Sequence, residues 1–111
     1  TQAQQLAAGT QLAQLITAGG LEELNLNDCN LGEAGLVPIF KALSRATRLN
    51  TLWFNNEEMS REFARDVVLP AVRANTSLRR LDLRIVPRFG VPGFGEQLPE
   101  LLEAMNIVTR R

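Results

Sequence analysis

The stretch Leu21-Glu22-Glu23-Leu24-Asn25-Leu26-Asn27-Asp28-Cys29-Asn30-Leu31 sets leucine at the spacing L-x-x-L-x-L and closes with a cysteine and a further leucine. Apolar residues at Leu24 and Leu26 alternate with polar ones, which is the period of a strand with one buried face. The same spacing returns as Leu49-Asn50-Thr51-Leu52-Trp53-Phe54, with Met59 where Leu31 stood, and once more as Leu78-Arg79-Arg80-Leu81-Asp82-Leu83. The intervals from Leu21 to Leu49 and from Leu49 to Leu78 are nearly equal. A fixed period of this size decides architecture before any single residue does.

Each copy continues into a segment of helical spacing. Leu36, Ile39, Phe40 and Leu43 fall on one stripe, as do Leu98, Leu101, Leu102 and Met105 in the third copy. The second stripe is looser, with Phe63, Val67, Val68, Ala71 and Val72 on one side. There Ser60 is placed to cap the helix with Glu62 in its first turn, and Pro70 is expected to kink or restart it. Shifting the first copy back by one period sets Leu12 over Phe40 and Leu15 over Leu43, so residues 3–18 read as a helical half without its strand. The expected divisions are therefore 1–20 as a half-unit or amino-terminal cap, then 21–48, 49–77 and an irregular 78–111, all in one domain.

This pattern resembles the leucine-rich repeat family, and within it the ribonuclease-inhibitor-like subclass with alternating units of ~28 and ~29 residues. Cys29, Leu31, Gly32, Gly35 and Leu36 carry the likeness in the first copy, and the period carries it in the others. The resemblance implies an α/β fold: a right-handed solenoid, a segment of a horseshoe, with parallel strands on the concave face and helices on the convex face. It also implies that Cys29 helps to satisfy the backbone of the turn leaving the strand, a slot that Glu57 and Val86 occupy later. At the inward positions Leu21, Leu24, Leu26, Leu49, Leu52, Phe54, Leu78, Leu81 and Leu83 form the expected core.

Composition excludes most catalysis. The 111 residues contain no histidine, no tyrosine and one cysteine, so no Ser-His-Asp or Cys-His pair, imidazole base, internal disulfide or usual zinc site can be assembled. No acid/base dyad, nucleophile or metal cluster emerges, and the expectation is a non-enzymatic chain without cofactor or metal. No apolar run reaches a membrane span and the first residues lack the regions of a signal peptide, which makes the cytoplasm the expected compartment. Thr1 in place of an initiator Met suggests a cut or processed start, and uncapped ends would allow self-association.

If Leu24 and Leu26 face the core, the alternation sends Glu23, Asn25 and Asn27 to the concave surface, together with Thr51, Trp53 and Asn55 and with Arg80, Asp82 and Arg84. Trp53 is the centre of this three-by-three patch, the expected site for a protein partner, because Trp and Arg are enriched among binding hot spots. Twelve basic and twelve acidic residues cancel overall, yet Glu22, Glu23 and Asp28 lie at one pole and Arg79, Arg80, Arg84 and Arg88 at the other. Such a gradient orients a partner. The alternative is an RNA or phosphate ligand on that arginine cluster, which the neutral total and the scarcity of aromatics disfavour. A GTPase-regulatory scaffold is a further analogy from the family alone. The glycines between Val86 and Glu96 read G-x-x-G-x-G, not a phosphate-cradling motif, and imply an irregular structural loop.

Overall fold

The computed structural model describes residues 1–27, 29, 31–87 and 99–111, and for 54–58 and 84–87 the backbone alone. Its elements in chain order are α1 (Gln2–Thr17), β1 (Glu23–Asn25), α2 (Gly32–Leu43), β2 (Thr51–Met59), α3 (Arg61–Phe63), a π-helical segment (Ala64–Val68), α4 (Leu69–Ala74), β3 (Arg80–Pro87) and α5 (Pro99–Thr109).

The ends of these elements follow from local chemistry. Thr1 Oγ1 accepts the Gln4 amide to cap α1. At its other end Gly19, at φ +75°, donates to Ile16 O and Gly20 donates to Leu15 O, a pair of bonds that satisfies the last carbonyls and requires a left-handed residue that glycine supplies without strain. Ser60 caps α3 by accepting the Phe63 amide at 3.1 Å, and its own amide donates to Glu33 Oε2 at 2.8 Å, which ties the end of β2 to the start of α2. Pro70 does not break the helix that follows. The turn before it widens instead: the Leu69 amide reaches back to Ala64 O, as the ring of a proline with no N–H would otherwise press on the preceding turn.

The three strands pair in parallel in the order β1-β2-β3, with Glu23 opposite Thr51 and Thr51 opposite Arg80. The spacing of the three leucine-rich stretches thus survives as strand register. It does not produce the expected solenoid. The sheet does not curl into a horseshoe, and the molecule is a slab of 40 × 36 × 21 Å made of one helix layer on one flat sheet. The expected repeat architecture falls with it. Unequal units are the physical reason. β1 stops after Asn25, where a turn forms at Asn27 and Cys29, whereas β2 and β3 run on through the slots held by Glu57 and Val86, with a register shift between Asn55 and Glu57. Wedges of different shape cannot stack with a constant rotation, so no curvature accumulates and no concave face exists.

Helices pack α1 on α2, α2 on α4 and α4 on α5, with α2 against β2 and α5 against β3 on the side of the core that holds Leu24, Leu26, Leu52 and Leu83. Leu26, Leu36, Ile39, Phe40, Leu43, Leu49, Leu52, Leu78, Leu83 and Leu101 are fully buried, each contributing roughly 1.5–3 kcal/mol. Leu21 and Leu81 are only half-buried, and the side chain of Phe54 lies outside the described residues. The stripe of α5 is rotated from the expected one: Leu101, Ala104 and Val108 are buried while Leu102 is exposed, and Leu98 lies outside the described residues. Between α1 and α2 the contact is backbone to backbone. A Cβ on Gly9 would stand 1.9 Å from Gly35 O, so only glycine permits this crossing.

Candidate functional site

Register brings the nine expected partner-binding residues together only in part. Glu23, Thr51 and Arg80 form one row across the strands, and Asn25, Trp53 and Asp82 form the next. Asn55 pairs with Arg84, but Asn27 lies past the end of β1, its amide donated to Asn25 Oδ1 at 2.9 Å in an Asx turn. The third row is therefore incomplete, and the side chains of Asn55 and Arg84 lie outside the described residues. Glu23, Asn25 and Arg80 are exposed, Trp53 and Asp82 half-buried. Thr51 is 4% exposed, with its hydroxyl donated to Asn50 Oδ1 at 2.7 Å. A short side chain in the middle strand sinks between its longer neighbours, so Thr51 supplies register and no contact surface. These residues line a flat face, not the concave one expected.

The charge gradient is shorter than the sequence suggests. Glu22 is taken up by Arg48 at 3.2 Å, and Arg79 folds back to donate to Thr76 O and Leu78 O, each at 3.1 Å. What remains on the open face is Glu23 on β1 and Arg80 with half-buried Asp82 on β3, Glu23 and Arg80 being two strand spacings or about 10 Å apart. Arg88, the Arg84 side chain and all the expected loop after Pro87 lie outside the described residues, so the expected cluster is not assembled among the described ones; Arg79 lies instead on a groove with Arg73, Arg110 and Arg111. Cys29 is exposed; its amide donates to Leu26 O and its thiol to Asn27 O, which closes the turn after β1.

The densest polar chemistry lies elsewhere, at residues to which the sequence reading gave no role. Asn75, 1% exposed at the end of α4, donates through Nδ2 to Leu43 O at 2.8 Å and to Ser77 Oγ at 3.1 Å. Its Oδ1 accepts the amides of Ser77 and Leu78 and, at 3.2 Å, Arg111 Nη1. Ser77 Oγ in turn donates to Leu49 O at 2.6 Å. One side chain thereby joins the end of α2, the end of α4, the start of β3 and the last residue of the chain. Arg111 also donates to Val72 O, Asn75 O and Leu78 O, and burial, then the neighbouring charge of Arg79, pushes its guanidinium below its ordinary value. The Asn75-Thr76-Ser77 cluster after an apolar stripe was the available signal for a polar helix end. For Arg111 there was none, because its partners lie far back along the chain, on α4 and at the start of β3.

Among the described residues no group of three or more His, Cys, Asp or Glu is placed to hold a metal ion, and no helix is long and apolar enough to cross a membrane. Comparison with protein-family models, with curated proteins and with solved structures finds no match.

Proposed function

We propose that this chain is a non-enzymatic protein-binding module of the cytoplasm whose docking surface is the helix-free face of the sheet. The observation that carries this reading is Trp53. It sits on the middle strand, half-buried, between exposed Asn25 and half-buried Asp82, on a face opposite the core. A half-buried indole offers a large apolar area with few torsions to immobilise, and its N–H supplies a donor. Glu23 and Arg80, one row away on β1 and β3, carry opposite charges, which would fix the orientation of a partner and raise the rate of encounter more than the final affinity.

Trp53 is the single tryptophan, so its emission reads this site alone. Acrylamide should quench it in the folded state, and a bound partner should protect it. Trp53→Ala should then weaken the complex by roughly thirtyfold, the loss expected of a hot spot worth ~2 kcal/mol. A blue-shifted emission that acrylamide cannot reach, or a complex indifferent to Trp53→Ala, would sink the reading.

A further inference from the structure

The ends of two helices and the start of a strand come together where α4 stops at Ala74, α5 stops at Thr109 and β3 begins at Arg80. A groove of about 470 Å³ runs between them, lined by Arg73, Arg79, Arg110 and Arg111 with Thr76 and Ile107.

A guanidinium beside a helix end ordinarily serves the last carbonyls. Arg111 does so fully: Nη1 donates to Asn75 Oδ1 and Leu78 O, and Nη2 to Val72 O and Asn75 O, which leaves its Nε–H alone. Arg79 does so in part. Its Nη1 donates to Thr76 O and Leu78 O, while Nε and Nη2, which together form the side-on fork of an arginine, have no acceptor among the described residues. Arg73 gives one Nη2 bond to Glu103 at 3.2 Å, and the exposed Arg110 side chain gives none among those residues. Capping therefore accounts for Arg111 and one side of Arg79, and it leaves donors on three guanidiniums around one groove.

Charge points the same way. Against the four arginines stand Glu103 and two helix C-termini of roughly half a negative charge each, so about two positive charges are uncompensated. Burial, and then the like charge of Arg79, hold the Arg111 guanidinium below its ordinary value, and an anion set between the two would relieve the second effect. A carboxylate brings one negative charge, whereas a phosphate monoester brings nearly two, on three acceptor oxygens.

We propose that this groove binds the phosphate monoester group of a phosphorylated ligand, with the Arg79 fork and Arg110 donating to its oxygens and Arg111 supplying charge from a fixed position. Exposed Thr76 adds a hydroxyl, and half-buried Ile107 an apolar surface for the group that carries the phosphate. The groove shares no residue with the sheet face around Trp53.

The test is a titration of the whole chain with methyl phosphate at constant ionic strength, followed by NMR at the arginine Nε–H groups. The signals of Arg79 and Arg110 should move saturably, with a Kd of about 1 mM or below, and dimethyl phosphate, with a single charge, should bind about fivefold more weakly or less. Arg110→Gln should weaken methyl phosphate roughly threefold to tenfold, and Arg79→Lys, which keeps the charge and loses the fork, by a similar factor. Arg45→Gln removes the same charge from an exposed site on the far end of α2 and should leave the Kd as it is. Tighter binding of N-acetylphosphoserine amide than of methyl phosphate would support the proposal and place the ligand on a protein; tighter binding of ribose 5-phosphate would support it and make the ligand a small metabolite. No saturable shift at about 20 mM methyl phosphate, equal affinity for dimethyl phosphate, a Kd indifferent to Arg110→Gln, or an oligoribonucleotide that binds these arginines more tightly than any monoester would each overturn it.

Discussion

The half of the molecule built from α1, β1 and α2 is held by shape, while the half that begins at β2 is held by hydrogen bonds. In the first, Gly9 and Gly35 let two helix backbones meet, and α1 carries no charged side chain from Gln2 to Thr17. In the second, Asn75 and Arg111 bind carbonyls and amides from several elements, and Arg61–Glu100 and Arg73–Glu103 bridge the helices. Strand register is common to both. Similar local geometry is thus secured by two kinds of force, one that tolerates no added atom and one that tolerates no lost partner.

Breaking the first half should cost most. Gly9→Ala sets a methyl against backbone that cannot move aside, and the loss should reach about 3 kcal/mol or more. For a domain of this size that is roughly a 10–20 °C fall in Tm, read by thermal denaturation. Next, Asn75→Ala strands the buried partners of both ends of the amide and should cost about 2–3 kcal/mol in urea unfolding. If Asn75→Ala proves costlier than Gly9→Ala, the contrast between the halves is wrong in its order. Arg111→Ala should cost about 1 kcal/mol, less than Asn75→Ala because Asn75 Oδ1 keeps its bonds to the Ser77 and Leu78 amides, and should raise exchange at the Leu78 amide before it affects α1. The smallest effect belongs to Asp66, whose carboxyl is held below its ordinary value by the hydrogen bond from Arg65. Its contribution is complete above the usual carboxylate range and fades as pH falls through the lowered value. Arg65→Ala should return the Asp66 carbon-shift titration to its ordinary midpoint with little change in Tm.

Much of the sheet was legible in the sequence. Leu24, Leu52 and Leu83 face the helices as their alternation requires, the first two rows of the expected patch are in register, and Ser60 caps where its position indicates. Curvature was not legible, because a period fixes the spacing of strands and says nothing about whether successive units have equal shape. The reach of β2 and β3 beyond Asn55 and Arg84 depended on what replaces the turn residue, and Glu57 and Val86 permit extension without announcing it. Thr51 reads as a surface residue by alternation, yet neighbours across the sheet decide its burial. Gly9 leaves no trace in an apolar stripe, since its importance is the absence of a side chain.

The π-helical segment has a consequence for chain length. Up to it, the second crossover keeps the first one's numbering at a constant offset: Leu31 corresponds to Met59 and Leu36 to Ala64, all buried. Beyond it the offset is larger by one, with Ile39, Phe40 and Leu43 answered by Val68, Leu69 and Val72. Ala64–Val68 is therefore where one additional residue has been absorbed without disturbing the buried face on either side. Removing one residue from that turn, together with Pro70→Ala, should restore an ordinary α-helical ladder and leave β3 in register, whereas a deletion anywhere from Leu69 to Leu78 should rotate the core face out of place. Within the helical part of this crossover, the additional residue is accommodated in one widened turn.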